Sequence, residues 1–400
     1  MAEFSTSIKN LRSSEIRRLM SLAADPSVIS FTGGMPCNEI FPVEVIDDIW
    51  NSLPRATKQA AFQYGPTSGY PPLLESLKTY LQSKGLPVDK SQRIIITTGA
   101  QQAINLITKV FIDPGDRIIT EYPSFIGALA AFKSYGAILK GIAMDNDGVI
   151  IEKLQEALSD GWLKPKLLYL SPCFHNPAGI IYSKARKKEV LDLLSGKDVC
   201  LLEDDPYNEL YFNEQDRELT LPLKSMARES FPVCYVGSFA KIFGPGMRLG
   251  WILGPDEIVD KCELAKQSMD ACSSTFTQVL AHEFLVRNKL PAFTAALRAN
   301  CARRAGIMLD ALQANMPPGI SWTRPKGGFY IWVTMPGSIN ASDVFGISLK
   351  KGAAFVIGNA FDPEEKKNNS FRLAFSFTPE DKIEQGIRII GEAIQSLINK

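Results

Sequence analysis

From residue 93 to residue 237 the chain alternates between short apolar runs and stretches whose apolar residues recur every three or four positions. RIIITTG (93–99) is an apolar run closed by glycine. AQQAINLITKVF (100–111) then carries Ala103, Ile104, Ile107, Val110 and Phe111 at helical spacing. DRIITEYPSFIGALAAF (116–132) repeats the pattern as run, turn and helix. AILKGIAM (137–144), a helical segment (151–161), KLLYLSP (166–172), VCLLEDDPY (199–207) and VCYVG (233–237) continue it. Apolar strands alternating with helices predict an α/β fold, with a mostly parallel sheet held between helices. Ligands of such sheets bind beyond the carboxyl ends of the strands.

The flanks read differently. Residues 11–24, 43–53 and the end of 61–77 have helical character, the last with Pro71 or Pro72 in its first turn. Residues 256–290 read as a long helix interrupted near Ser273, Ser274 and Thr275, and a helical segment over 292–314 follows Pro291. GISWTRPKGGFYIWVTMP (319–336) predicts two strands around a Gly-Gly turn. AAFVIGNAF (353–361) and SFRLAFS (370–376) predict two more. A closing helix carries Ile383, Ile387, Ile390, Ile394 and Leu397 on one face. This half is expected to be a small α+β domain. A chain of 400 residues suggests two domains. The expected division is an N-terminal arm (1–35), a large domain (36–289) and a small domain (290–400).

Composition narrows the partners. A net charge of +1 gives no overall pull towards nucleic acid or an anionic membrane, and KARKK (184–188) is expected on a solvated helix face. The seven cysteines are odd in number and none has CxxC spacing, which predicts free thiols in a reducing compartment. With only His175 and His282, no histidine-rich metal site is expected. MAEFSTSIKN lacks a signal peptide's apolar core and no run approaches 18 apolar residues, so a cytoplasmic protein without a membrane span is expected.

Three stretches carry chemistry. In SFAKIFGPGMRLGW (238–251) a hydroxyl (Ser238), an amine (Lys241), a Gly-Pro-Gly turn and a guanidinium (Arg248) follow a buried strand. Lysine forms a Schiff base with an aldehyde once burial and a neighbouring cation lower its pKa, while serine and arginine clamp a phosphate. Together they suggest pyridoxal 5′-phosphate (PLP). Glycine before a helix start, at Gly99–Gln101, makes an anion site from free N–H groups and the helix dipole. It is neither a GxGxxG nor a Walker loop, so a dinucleotide or nucleoside triphosphate is poorly supported. In VCLLEDDPY, Glu203, Asp204 and Asp205 end an apolar run. A carboxylate buried there could keep a pyridine nitrogen protonated, or the acids could cap a helix.

Residues 238–251, and the chain from SFTGGMPCNEIFP (30–42) to NSFRLAFS (369–376), resemble class I/II aminotransferases of PLP fold type I. The resemblance is strongest to the branch of 2-aminoadipate and kynurenine aminotransferases. It implies a large domain built on a mostly parallel seven-stranded sheet, a smaller α+β domain, and a homodimer. It implies that Lys241 binds PLP and moves the α-proton, and that Asp204, three residues before Tyr207, pairs with the ring nitrogen. Tyr207 and Asn176 of CFHNPAG then reach the phenolic oxygen, and Asp205 is structural. The resemblance further implies backbone contacts from Ala100 and Gln101 to the phosphate, beside Ser238 and Arg248, and Phe125 stacked on the ring, with Tyr122 a weaker candidate. It brings Tyr64 across the dimer to the partner's phosphate, and assigns Arg372 and Gly34 to the substrate. Arg17 matches an arginine that reads acidic side chains. Taken alone, Arg372 reads as an edge-strand residue facing solvent, and Phe125 as core. Ala100 and Ala240 stand where serines are usual, which removes two hydroxyls from the phosphate site. His175 receives no role. The expected reaction is ping-pong transamination of a broad set of L-amino acids with 2-oxoglutarate as acceptor. The rival readings are a PLP lyase or decarboxylase, and a non-catalytic regulatory module.

Overall fold

Strand β1 (Ile29–Ser30) is a two-residue bridge, and the eight strands after it make one sheet. They are β2 (Gln92–Thr97), β3 (Arg117–Tyr122), β4 (Ile138–Asp145), β5 (Gly148–Val149), β6 (Leu167–Leu170), β7 (Cys200–Asp204), β8 (Val233–Ser238) and β9 (Gly250–Pro255). In this computed structural model, which describes residues 3–5, 8, 25, 27–89, 91–161, 164–228 and 231–398, the order is β2-β9-β8-β7-β6-β3-β4-β5. Strands β8, β7, β6, β3 and β4 run parallel. β9 runs against both its neighbours, and the short β5 folds back on β4. The sheet is thus the expected seven long strands plus a two-residue arm.

Every residue of β6, β7 and β8 is buried, as apolar runs covered on both faces require. One face packs Tyr169, Leu202 and Val236 against Ala103, Ile107 and Phe132 of the helices Ala100–Phe111 and Ile126–Ser134. The other packs Leu168, Leu170 and Leu201 against Leu154, Val190 and Leu194 of the helices Ile151–Ser159 and Lys184–Leu194. The helix Lys184–Leu194 departs from expectation at one position. Lys187 is 2% exposed, because its ammonium donates to the carbonyls of Leu219 (2.5 Å) and Leu221 (2.7 Å). A loop with free carbonyls draws the cation in, and KARKK is not wholly solvated.

The C-terminal half forms its own sheet. β10 (Ser321–Trp322) and β11 (Tyr330–Thr334) are the two strands expected around Gly327–Gly328. The run 353–361 is not one strand. β12 (Ala353–Ala354) pairs with β1, whereas β13 (Val356–Ile357) pairs with β14 (Ser370–Ala374). Buried Phe355 is where the run changes partners, and a 3-10 turn over Gly358–Phe361 ends it. The antiparallel order is β10-β11-β14-β13. The helix Leu290–Asn315 and the last helix, Glu380–Ile398, pack together behind it, the latter burying Ile383, Ile387, Ile390 and Ile394. The expected interruption at 273–275 separates the helices Asp256–Asp270 and Thr275–Val286. All seven cysteines are free thiols. Among the described residues no helix is long and apolar enough to cross a membrane, and no group of His, Cys, Asp or Glu could hold a metal ion.

Candidate active site

The site lies where β8 turns into β9. Ser238 ends β8 opposite Gly250, which begins β9, and the connecting loop holds Lys241 and Arg248. Lys241 is partly buried, and its Nζ donates to the carbonyl of Gly34 at 2.7 Å. Its ammonium lies 5.8 Å from the Tyr207 ring centroid and 5.6 Å from that of Phe329. Burial first, then the guanidinium groups of Arg372 and Arg248, pull the amine down to about 8. An amine in that range is available as a nucleophile or base near neutral pH.

Beside it is a cradle for an anion. β9 also pairs with β2, Thr97 opposite Gly250, so the turn after β2 adjoins the loop. In that turn Gly99 has φ 84°, and a Cβ there would stand 2.8 Å from Arg248 Nη2. The positive φ calls for glycine, and any side chain there would displace the Arg248 guanidinium. Ala100 and Gln101 begin the helix, so their N–H groups precede its hydrogen-bond ladder. Arg248 donates from Nη1 to Pro245 O (3.1 Å) and from Nη2 to Thr98 O (3.4 Å). Ser238 Oγ accepts from the Ala240 N–H at 3.1 Å and keeps its own hydrogen free to donate. Asp270 braces the turn by accepting from Thr98 Oγ1 (3.0 Å) and Gln102 Nε2 (2.6 Å). The Gln101 side chain turns away to Gly127 O (2.7 Å), where the Phe125 ring lies next to it.

Three buried acids end β7, and each does something different. Glu203 accepts from the N–H groups of Leu223 (2.7 Å) and Lys224 (2.8 Å). These are the first two N–H groups of the short helix Leu223–Met226, whose N-cap is Pro222, so Glu203 satisfies a distant helix start from within β7 and caps no helix of its own. Asp205 Oδ2 accepts from Asn208 Nδ2 and Tyr235 Oη, both at 3.1 Å, and its Oδ1 is buried with no partner among the described residues. Asp204 Oδ2 accepts from Tyr169 Oη at 2.8 Å, while Oδ1 is buried with no partner among the described residues. Burial raises Asp204 to about 7, with Tyr169 opposing and the charges of Asp205 and Glu121 adding. A buried oxygen with an unmet acceptor site suits a cationic N–H.

Arg372 completes the enclosure. It is not on an edge: β14 lies between β11 and β13, and Arg372 is 2% exposed. Nη1 donates to Asn176 Oδ1 (2.9 Å) and Nη2 to Thr32 O (2.5 Å), while Nε has no partner among the described residues. Burial lowers its pKa. Its guanidinium lies 4.5 Å from the Tyr330 ring. Tyr330, whose hydroxyl is 3.0 Å from that of Tyr207, joins the cluster. Gly34 closes against it, and a Cβ there would collide with Tyr330 Oη. Nothing local in GGFYIW marks this tyrosine beyond a predicted strand.

Other expected residues fall elsewhere. Tyr64 is 85% exposed, on a loop. Tyr122 carries the Lys367 ammonium 4.4 Å from its ring. Arg17 and the helix expected over 11–24 lie outside the described residues. His175 is fully buried. Its Nδ1 accepts from the Ala178 N–H, so Nε2 donates to Glu121 Oε2, both at 3.1 Å. Glu121 also takes Tyr182 Oη and the Ser171 N–H, and the network holds the Asn176 loop. A separate groove of about 570 Å³ beside Tyr211 has its charges paired within itself, Glu209 taking Lys84, Arg298 and the hydroxyl of Tyr80.

Comparison with known proteins agrees with this geometry. Residues 32–390 match the family model of aminotransferase class I and II. The chain is 38% identical to aromatic-amino-acid aminotransferase 1 of Thermococcus litoralis, covering 99% of this chain and 95% of that protein. It is 33% identical to 2-aminoadipate transaminase of Thermus thermophilus, covering 97% and 95%. The crystal structure of Pyrococcus horikoshii kynurenine aminotransferase in complex with PMP superposes with a TM-score of 0.94 at 38% identity, covering 98% of this chain and 97% of that one.

Proposed function

The chain belongs to the aminotransferase class I and II family, and from that premise we propose that it moves an amino group from an L-amino acid to a 2-oxo acid with PLP as its cofactor. One observation carries the cofactor: the unpartnered Asp204 Oδ1 is buried at the same end of the sheet as an amine held near 8. A pyridinium N–H meets the first, and an aldehyde the second. Ser238, Arg248 and the N–H groups of Ala100 and Gln101 hold the phosphate. Phe125 covers the ring, and Tyr207 and Asn176 serve its phenolic oxygen. When bound, PLP supplies an aldehyde for an amine and a protonated ring that accepts the electron pair left on a substrate carbon. Asp204, paired with that ring, stays ionised and keeps it protonated. Arg372, fixed by Asn176 and Thr32, orients the substrate's α-carboxylate with its fork. Lys241, an amine titrating near 8, would take the proton from the donor's α-carbon and deliver it to the carbon that carried the cofactor's aldehyde.

The finer reading rests on the relatives. Aromatic amino acids and 2-aminoadipate are the donors, 2-oxoglutarate is the acceptor, and the two half-reactions run ping-pong. Arg17 reads an acidic donor's side chain. A homodimer is favoured by the exposure of Tyr64 and of Phe62, the latter edge-on to Trp50 at 6.0 Å, and Tyr64 serves the partner's phosphate. The division proposed is an N-terminal arm over 1–35, a large domain over 36–289 and a small domain over 290–400; support comes from the eight-stranded sheet drawing its strands from residues 92–255 and the four-stranded one from 321–374.

The test is a spectrum and a screen. The purified protein with PLP absorbs in the visible, and it forms 2-oxo acid from an aromatic donor only when 2-oxoglutarate is present. Lys241→Ala loses that absorbance and nearly all turnover. A variant still yellow and active rules out Lys241, and product formed without an acceptor favours a lyase.

A further inference from the structure

We propose that Tyr330 is a positioning residue for the reaction, its hydroxyl aiming Tyr207 and its ring carrying Arg372. The inference rests on the PLP reading above and concerns a residue that nothing in the 238–251 stretch or the acid cluster points to. Tyr330 is 2% exposed and touches three separate parts of the site. Its Oη is 3.0 Å from Tyr207 Oη. Its ring lies 4.5 Å below the Arg372 guanidinium. Its hydroxyl stands so close to Gly34 that no Cβ fits there, and the Gly34 carbonyl takes the Lys241 amine at 2.7 Å.

Two hydroxyls at this distance share one hydrogen bond, and only one of them donates to the other. If Tyr207 gave its hydrogen to Tyr330, it would have none for a ring oxygen. The cofactor would decide the direction. Its ionised phenolic oxygen can only accept, so the hydrogen of Tyr207 is committed to it. Tyr207 then has only its lone pairs to offer Tyr330 Oη at 3.0 Å. Tyr330 therefore donates, Tyr207 accepts, and the hydrogen of Tyr207 points into the site. Each hydroxyl in such a chain polarises the next, so Tyr207 becomes a better donor than a lone tyrosine. The ring does a second task. Among the described residues Arg372 donates to Asn176 and Thr32, with the Tyr330 ring at 4.5 Å and the Phe361 ring at 5.1 Å, and the nearer aromatic face helps fix the plane of the fork.

The experiment uses the full chain reconstituted with PLP. The visible absorbance is titrated with pH in the absence of substrate, and KM and kcat are measured separately. Tyr330→Phe keeps the ring and removes the hydroxyl. The cofactor's phenolic oxygen loses part of its hydrogen bond, and the absorbance midpoint rises by roughly half to one pH unit. KM for the amino donor stays within about twofold, because the platform for Arg372 is intact. Tyr330→Leu also removes the platform, and KM rises roughly three- to tenfold. In a Tyr207→Phe background, Tyr330→Phe has no further effect on the midpoint, since it acts through Tyr207. An unmoved midpoint in Tyr330→Phe, or an equal shift in both backgrounds, overturns the role of the hydroxyl. An unchanged KM in Tyr330→Leu overturns the role of the ring. A wild-type protein that gains no visible absorbance with PLP overturns the cofactor reading itself, a result distinct from all of these.

Discussion

Tyr169 donates its hydroxyl to Asp204 Oδ2 at 2.8 Å, while Asp204 Oδ1, just as buried, has no partner among the described residues. The bond fixes the carboxylate's rotation and leaves one oxygen for a cation. Asp204→Asn has the same shape and no charge. PLP still binds through its phosphate, but turnover falls by about a thousandfold, the scale of losing one preorganised charge. Single-turnover absorbance changes measure the step directly. A loss below tenfold argues against the pairing.

The same acids give the cofactor-free protein an unusual response to pH. Burial holds Glu203 and Asp204 near 7 and Asp205 near 6, all above their ordinary values. The folded chain keeps these protons between about pH 4 and 7, where the unfolded chain has released them. Their contribution to stability is therefore complete below pH 4 and is lost as pH rises to 7. Asp204→Asn removes one proton from that balance, so stability against pH between 5 and 7 changes with a slope shallower by roughly one proton. Denaturant melts at three pH values read it. Identical slopes for variant and wild type refute the shift.

Arg372 is held flat by Asn176, Thr32 and the Tyr330 ring. Lysine keeps the charge and loses the planar fork. Arg372→Lys raises KM for the amino donor by roughly 10- to 100-fold, the equivalent of one charged hydrogen bond. The visible spectrum of bound PLP stays the same. If KM is unmoved, the arginine does not read the carboxylate.

Ala100 begins the helix at the anion cradle, and Ala240 donates its N–H to Ser238 Oγ. Neither side chain offers a hydroxyl. Ala100→Ser and Ala240→Ser each add one, and each tightens PLP by roughly tenfold, as a hydrogen bond to a charged group does. The cofactor dissociation constant of the double variant settles it, with unchanged or weaker binding counting against the reading.

What could be read from residue order alone follows a physical divide. The helix Ala100–Phe111 was legible to the residue, because Gly99 at φ 84° starts it and its apolar spacing is regular. Ser238, Lys241 and Arg248 were legible because one short stretch holds all three. Arg372 in isolation looked like an edge residue, since its burial comes from β11 and β13 on either side, far away in the chain. Lys187 read as solvated because the carbonyls that bury it belong to residues 219 and 221. Tyr169 and Tyr330 lie in stretches that predict strands and nothing more, and only their hydroxyls' distant partners distinguish them. The acids 203–205 showed a site but not the division of labour, which is set by which neighbours arrive from helix Leu223–Met226, Asn208 and Tyr169.

β9 is inserted antiparallel between β2 and β8, strands from opposite ends of the sheet's stretch of sequence. It is also the last strand of that sheet to leave the ribosome. Without β9 the loop carrying Arg248 is not brought to the turn at Thr98 and Gly99, so the anion cradle is complete only in a chain whose central layer is whole. Any ligand held there then adds its binding energy to that finished state by mass action.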